Sequence, residues 1–120
     1  MAGHARYMVL LDTRVLCRLA GVVNLSNMKA KLFLRERRVL EIGFIEVVVW
    51  GLSQPMDGSL HRFKYRLAYV VRGECVLRYD NELGKGDHRH FGRTEKPYAF
   101  ESVDQLLDDF LRDVARWKGK

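Results

Sequence analysis

The sequence predicts an α+β domain: a small antiparallel β-sheet, arranged as a meander, covered on one face by a C-terminal amphipathic helix. Three patterns carry this expectation. The stretch His61 to Val71 alternates between core-type and charged side chains with the period of two that a half-buried strand requires. Short segments rich in β-branched and aromatic residues precede it, and from Ser102 onward the apolar spacing changes to that of a helix. A length of 120 residues with 48% hydrophobic content suits one domain with a modest core.

Residues 1–27 differ in pattern from the rest of the chain. Their mixed run Met8 to Ala20 is broken by Asp12, Arg14 and Arg18, so it lacks the unbroken apolar stretch of a signal peptide. It also falls short of the roughly 20 apolar residues of a membrane span. Two readings stay open: an atypical N-terminal extension ahead of a true start at Met28, or a weakly amphipathic helix docked on the domain. Residues 28–120 are expected to form the complete domain.

Lys31-Leu32-Phe33-Leu34-Arg35 and Phe44 to Trp50 read as the first strands. Gly51 to Ser59, with Pro55 and Asp57-Gly58, reads as a loop. In the next strand His61, Phe63, Tyr65, Leu67, Tyr69 and Val71 share the core face, while Arg62, Lys64 and Arg66 share the other. Arg72-Gly73-Glu74 then turns the chain into a strand from Cys75 to Asp80. If Val71 faces Cys75 across a three-residue loop, Arg66 lies opposite Asp80 and Lys64 opposite Glu82 on a solvent-facing surface. Tyr69 then meets Leu77, and Leu67 meets Tyr79, on the core side. The closing helix has Ser102 and Gln105 as a capping box and Val103, Leu106, Leu107, Phe110, Leu111, Val114 and Trp117 as its apolar stripe. Asp104, Asp108, Asp109, Arg112, Asp113 and Arg116 are its wet face, and Gly119 ends it.

Between strand and helix, Tyr79 to His90 holds three carboxylates, two histidines, a lysine, an arginine and two glycines, with Tyr79 and Leu83 as the only hydrophobic members. A stretch this polar reads as a loop carried by the scaffold, the usual seat of function. The net charge of +6 favours an anionic partner. From His61 to Arg93 there are eight Lys/Arg against four Asp/Glu, so the surplus lies around this stretch. Cys17 and Cys75 sit in dissimilar contexts and indicate no disulfide framework, which makes a reducing cytoplasm the expected location.

Phosphate-loop and paired Cys-x-x-Cys zinc patterns are absent. His88-x-His90 is open to two readings. The pair could bind a metal with Asp87, Asp80 or Glu82, or it could move protons in metal-free phosphodiester cleavage while Lys85, Arg89 or Arg66 stabilises the phosphate. The second reading is adopted, with no cofactor and no metal required. It makes Asp87, His88, His90 and Lys85 the catalytic candidates, Asp80, Glu82 and Arg89 their supports, and Arg62, Lys64 and Arg66 the nucleic-acid-binding surface.

Met28 onward, with His61-Arg62-Phe63-Lys64-Tyr65-Arg66-Leu67, Tyr79-Asp80-Asn81-Glu82 and Gly84-Lys85-Gly86-Asp87-His88-Arg89-His90, resembles the TumE-type toxins of prokaryotic toxin–antitoxin systems. The resemblance implies a toxin neutralised by an antitoxin, often of helix-turn-helix type. It supplies no mechanism. The expected activity is cleavage of a nucleic acid, RNA above all; the alternative is a non-catalytic basic module that binds nucleic acid or the antitoxin. No membrane association is expected, and a homodimer is left open.

Overall fold

The computed structural model describes residues 29–118. The expectations about residues 1–27 and about Gly119 lie outside the described residues. Within them, six strands form one antiparallel sheet: β1 (Ala30–Val39), β2 (Gly43–Leu52), β3 (Phe63–Val71), β4 (Glu74–Glu82), β5 (Gly86–Phe91) and β6 (Thr94–Pro97). Each strand pairs with the next in sequence, so the sheet is the expected meander. Helix α1 (Val103–Arg116) follows.

The helix lies on one face of the sheet. Leu106 and Phe110, both fully buried, join Leu67, Tyr69, Leu77 and Tyr79 in the core. Burying two such side chains contributes roughly 1.5–3 kcal/mol each. Ser102 caps the helix, its hydroxyl accepting from the Gln105 N–H at 3.0 Å. Two of the expected wet-face residues turn inward instead. Asp109 accepts from the Tyr98 hydroxyl at 2.6 Å, and Asp113 accepts from the Tyr79 hydroxyl. Buried phenols need such acceptors, and these two carboxylates bind the helix to the sheet.

The β3–β4 hairpin keeps the expected register but reaches it differently. Arg66 pairs with Asp80, Leu67 with Tyr79 and Tyr69 with Leu77, whereas Val71 faces Glu74 and not Cys75. The connection is a two-residue turn, Arg72-Gly73, with φ values of 53° and 78°. Both residues being left-handed defines a type I′ turn, whose twist matches that of paired strands. A shift in register between Tyr69 and Val70 marks a bulge that leaves Val76 over and restores the pairing beyond it. Arginine is a poor occupant of the left-handed region, which costs an L-residue roughly 1–2 kcal/mol and suits asparagine better. Arg72→Asn is therefore expected to stabilise the protein by about 1 kcal/mol, read as a rise in the denaturant midpoint at unchanged slope.

The ladder between β3 and β4 stops at Arg66 and Asp80, so the expected Lys64–Glu82 pair does not form. The side chain of Asn81 takes its place. Its Oδ1 accepts from the Tyr65 N–H at 3.0 Å and its Nδ2 donates to the Phe63 carbonyl at 2.7 Å. The polar stretch from Tyr79 to His90, expected as a loop, is also corrected: it is mostly two paired strands, with Glu82 opposite Gly86 around a tight turn. Gly84 and Gly86 have positive φ there, and the Gly84 N–H donates to the Asp57 carbonyl, which ties the turn to the loop after β2.

Candidate functional site

Because Gly86–Phe91 is a strand, its side chains alternate between the two faces of the sheet. The polar stretch is therefore split in two. Asp87 and Arg89 lie on the helix side with Tyr65 and Tyr79, whereas His88 and His90 lie on the opposite side with Asp80 and Arg78.

On the helix side Asp87 Oδ2 accepts from the Tyr65 hydroxyl at 2.6 Å and lies 2.8 Å from His61 Nε2. His61 Nδ1 accepts from the Phe63 N–H at 3.1 Å, so Nε2 carries the proton and donates it to Asp87. Phe100 stacks on the imidazole with ring centroids 3.9 Å apart. Both ring nitrogens are used and a face is covered, which makes this histidine a latch between the loop before β3 and strand β5. Burial, together with the hydrogen bond to Asp87, holds the Tyr65 phenol well above its ordinary range. Arg89 is likewise tied up, donating to the Tyr79 hydroxyl at 3.3 Å and pairing with Asp113 at 3.5 Å. Burial and the bond to Asp113 push Tyr79 up to about 12. These are the contacts of a structural network.

The opposite side is organised by two rungs across the strands. One runs Arg66, Asp80, His88; the next runs Ala68, Arg78, His90, Glu95. His90 Nε2 lies 3.1 Å from Arg78 Nη2 and 3.6 Å from Asp80 Oδ1. Arg78 in turn pairs with Asp80 at 3.1 Å. Since a guanidinium can only donate, His90 Nε2 accepts from Arg78 and Nδ1 holds the ring proton. His88 Nδ1 donates to the Gly86 carbonyl at 3.1 Å, which leaves Nε2 as the nitrogen that gains or loses a proton. That Nε2 is 3.4 Å from Glu95 Oε2. Lys85 reaches the same oxygen at 3.1 Å and Glu82 at 3.8 Å. Both histidine side chains are only 16% and 18% exposed, so they are held in place yet reachable.

The expected site is thus assembled in part. His88, His90, Asp80 and Lys85 come together; Asp87 and Arg89 are turned to the far side of the sheet; Glu82 meets the group through Lys85 alone. Of the expected binding surface, Arg62 is exposed and Arg66 half-buried, and neither makes an ion pair among the described residues. Lys64 departs from its expected exposure: it is buried and donates to the Asn81 carbonyl. Burial lowers its pKa to about 8, with Asp80 opposing the shift. Asp80, also expected on a wet surface, is buried against Arg78.

Sequence reasoning missed Arg78 and Glu95 as members of this group and His61 as the partner of Asp87. The first two were reachable by pairing: a strand carrying His88 and His90 on one face puts its neighbours' same-face residues beside them. Among the described residues, no group of three or more His, Cys, Asp or Glu is arranged to hold a metal ion. No helix among them is long and apolar enough to cross a membrane.

Comparison with known proteins gives a family match. Residues 18–118 fit the family described as Toxin TumE, beginning ahead of Met28 and running through α1. Neither a curated protein nor a solved structure matches the chain. With most of its length in that match, the chain belongs to the TumE toxin family and is the toxin component of a toxin–antitoxin module, with an antitoxin as its partner.

Proposed function

We propose that this toxin cleaves RNA by metal-independent phosphodiester transfer at the group built on β4, β5 and β6. What carries the proposal is the pair of partly buried histidines on one face, flanked by Arg66, Arg78 and Lys85. RNA supplies its own nucleophile. A base removes the proton of the ribose 2′-hydroxyl, which attacks the adjacent phosphorus; an acid protonates the departing 5′-oxygen; a cation meets the charge that builds on the phosphate. His88 and His90 are suited to the two proton transfers and the arginines to the charge. In the same proposal the toxin acts in the cytoplasm, where RNA is met, and the antitoxin is a helix-turn-helix protein.

The test uses the purified protein with a single-stranded RNA and with its all-deoxy counterpart, each in the presence of a chelator. Cleavage of the RNA alone, leaving 2′,3′-cyclic phosphate ends, is the expected result. A reaction abolished by chelation and restored by one divalent ion would overturn the metal-free mechanism. Salt-sensitive binding without any cleavage would overturn the enzymatic reading and leave a basic binding module centred on Arg62 and Arg66.

A further inference from the structure

Three groups on the histidine side converge on one anion that belongs to the protein itself. Glu95 Oε2 lies 3.1 Å from the Lys85 ammonium and 3.4 Å from His88 Nε2. Its other oxygen lies 4.0 Å from His90 Nδ1. Because His88 Nδ1 already donates to the Gly86 carbonyl, a hydrogen bond from Nε2 to Glu95 requires the imidazolium form. The remaining charges facing the pair are Asp80, 3.6 Å from His90, and Arg78, 3.1 Å from it; these two also pair with each other. The three donors are thus placed around an anion with more than one oxygen.

We propose that Lys85, His88 and His90 form a phosphate-binding subsite and that Glu95 occupies it as an internal substitute, which a substrate phosphate must displace. The donors and the acceptor are held unequally. His88 is anchored by the Gly86 carbonyl on β5, which is paired on both sides, whereas Glu95 sits on the four-residue edge strand β6, exposed along its whole length. An ion pair with half of the lysine and a third of the glutamate side chain exposed is weakly held and screened by salt. The Lys85 pKa is raised and the Glu95 pKa lowered, each first by their mutual hydrogen bond, so both are charged near neutral pH. A phosphate group brings more oxygens and more charge to the same donors and can bond all three at once. The inference rests on the reading of the β5 histidines as the nucleic-acid site and deepens it: Glu95 restrains substrate binding.

Titration of the intact protein with inorganic phosphate at pH 6 and low salt, followed by histidine side-chain NMR, tests this without any need for activity. Glu95→Gln keeps the size and a hydrogen-bonding end but removes the competing charge. It is expected to bind phosphate about threefold to tenfold more tightly than the parent, as loss of a surface-type ion pair would predict, with His88 and His90 resonances shifting. Lys85→Ala should weaken binding. Equal or weaker phosphate binding by Glu95→Gln, or binding that leaves both β5 histidines unmoved, overturns the proposal. The two readings separate cleanly: a Glu95→Gln protein that binds phosphate more tightly, beside a His88→Gln protein that still kills, keeps the subsite and removes its role in RNA cleavage.

Discussion

Replacement of His88 or His90 by glutamine is expected to abolish growth inhibition when the toxin is induced without its antitoxin. Glutamine preserves bulk and offers a donor and an acceptor, so it retains much of the packing while removing the ability to exchange a proton near neutral pH. Positioned general acids and bases contribute roughly 10²–10⁴-fold to rate, so losing either should bring RNA cleavage down by at least two orders of magnitude. Folding should be spared, because each histidine is bonded at the rim of the sheet and neither enters the hydrophobic core. Asp87→Asn is the informative contrast. Its carboxylate lies on the helix side between Tyr65 and His61, where loss of charge should lower thermal stability and leave the catalytic rate of the folded fraction nearly unchanged. Growth curves at matched protein levels, with circular dichroism of each variant, read out both arms. If both histidine variants inhibit growth like the parent, the site is misplaced and the accessible arginines Arg62 and Arg66 become the leading candidates.

That contrast also shows how far the sequence could be read. The face assignment of β3 and its register with β4 follow from alternation and from the cost of setting Arg78 against Leu67, and the paired rungs agree with it. The helix was equally legible, since capping and an apolar stripe are local signals. Strand β5 gave no such signal. One of its faces meets tyrosine hydroxyls and Asp113, the other meets Asp80, Arg78 and Glu95, so both faces select polar residues and the alternation that marks a strand disappears. Without a strand, nothing separates Asp87 from His88. Strand β6 was hidden for a related reason: Thr94-Glu95-Lys96-Pro97 is an exposed edge and holds no apolar residue to bury except the proline that ends it. The bulge at Val76 was concealed because it cancels the shortened turn, leaving the distant pairs as they would be across a longer loop.

Asn81→Ala is expected to be the most damaging single change to the fold outside the hydrophobic core. The side chain is fully buried and stands in for the missing rungs between β3 and β4, accepting from the Tyr65 N–H and donating to the Phe63 carbonyl. Alanine strands both main-chain groups away from water, and each unpaired buried group costs about 1–3 kcal/mol. A total of roughly 2–6 kcal/mol is a large part of the ~5–15 kcal/mol that holds a domain of this kind together. At about 4–8 °C per kcal/mol, the melting temperature should fall by about 8 °C or more. Asn81→Asp should do no better: one oxygen can still accept from Tyr65, but the other faces the Phe63 carbonyl with no proton to give, and a charge is left buried beside it. The main-chain carbonyl of residue 81, which receives the Lys64 ammonium, survives either substitution, so the damage measured belongs to the side chain. An Asn81→Ala protein melting within a few degrees of the parent would falsify this account and mean that the two strands close directly, or through water, once the amide is gone.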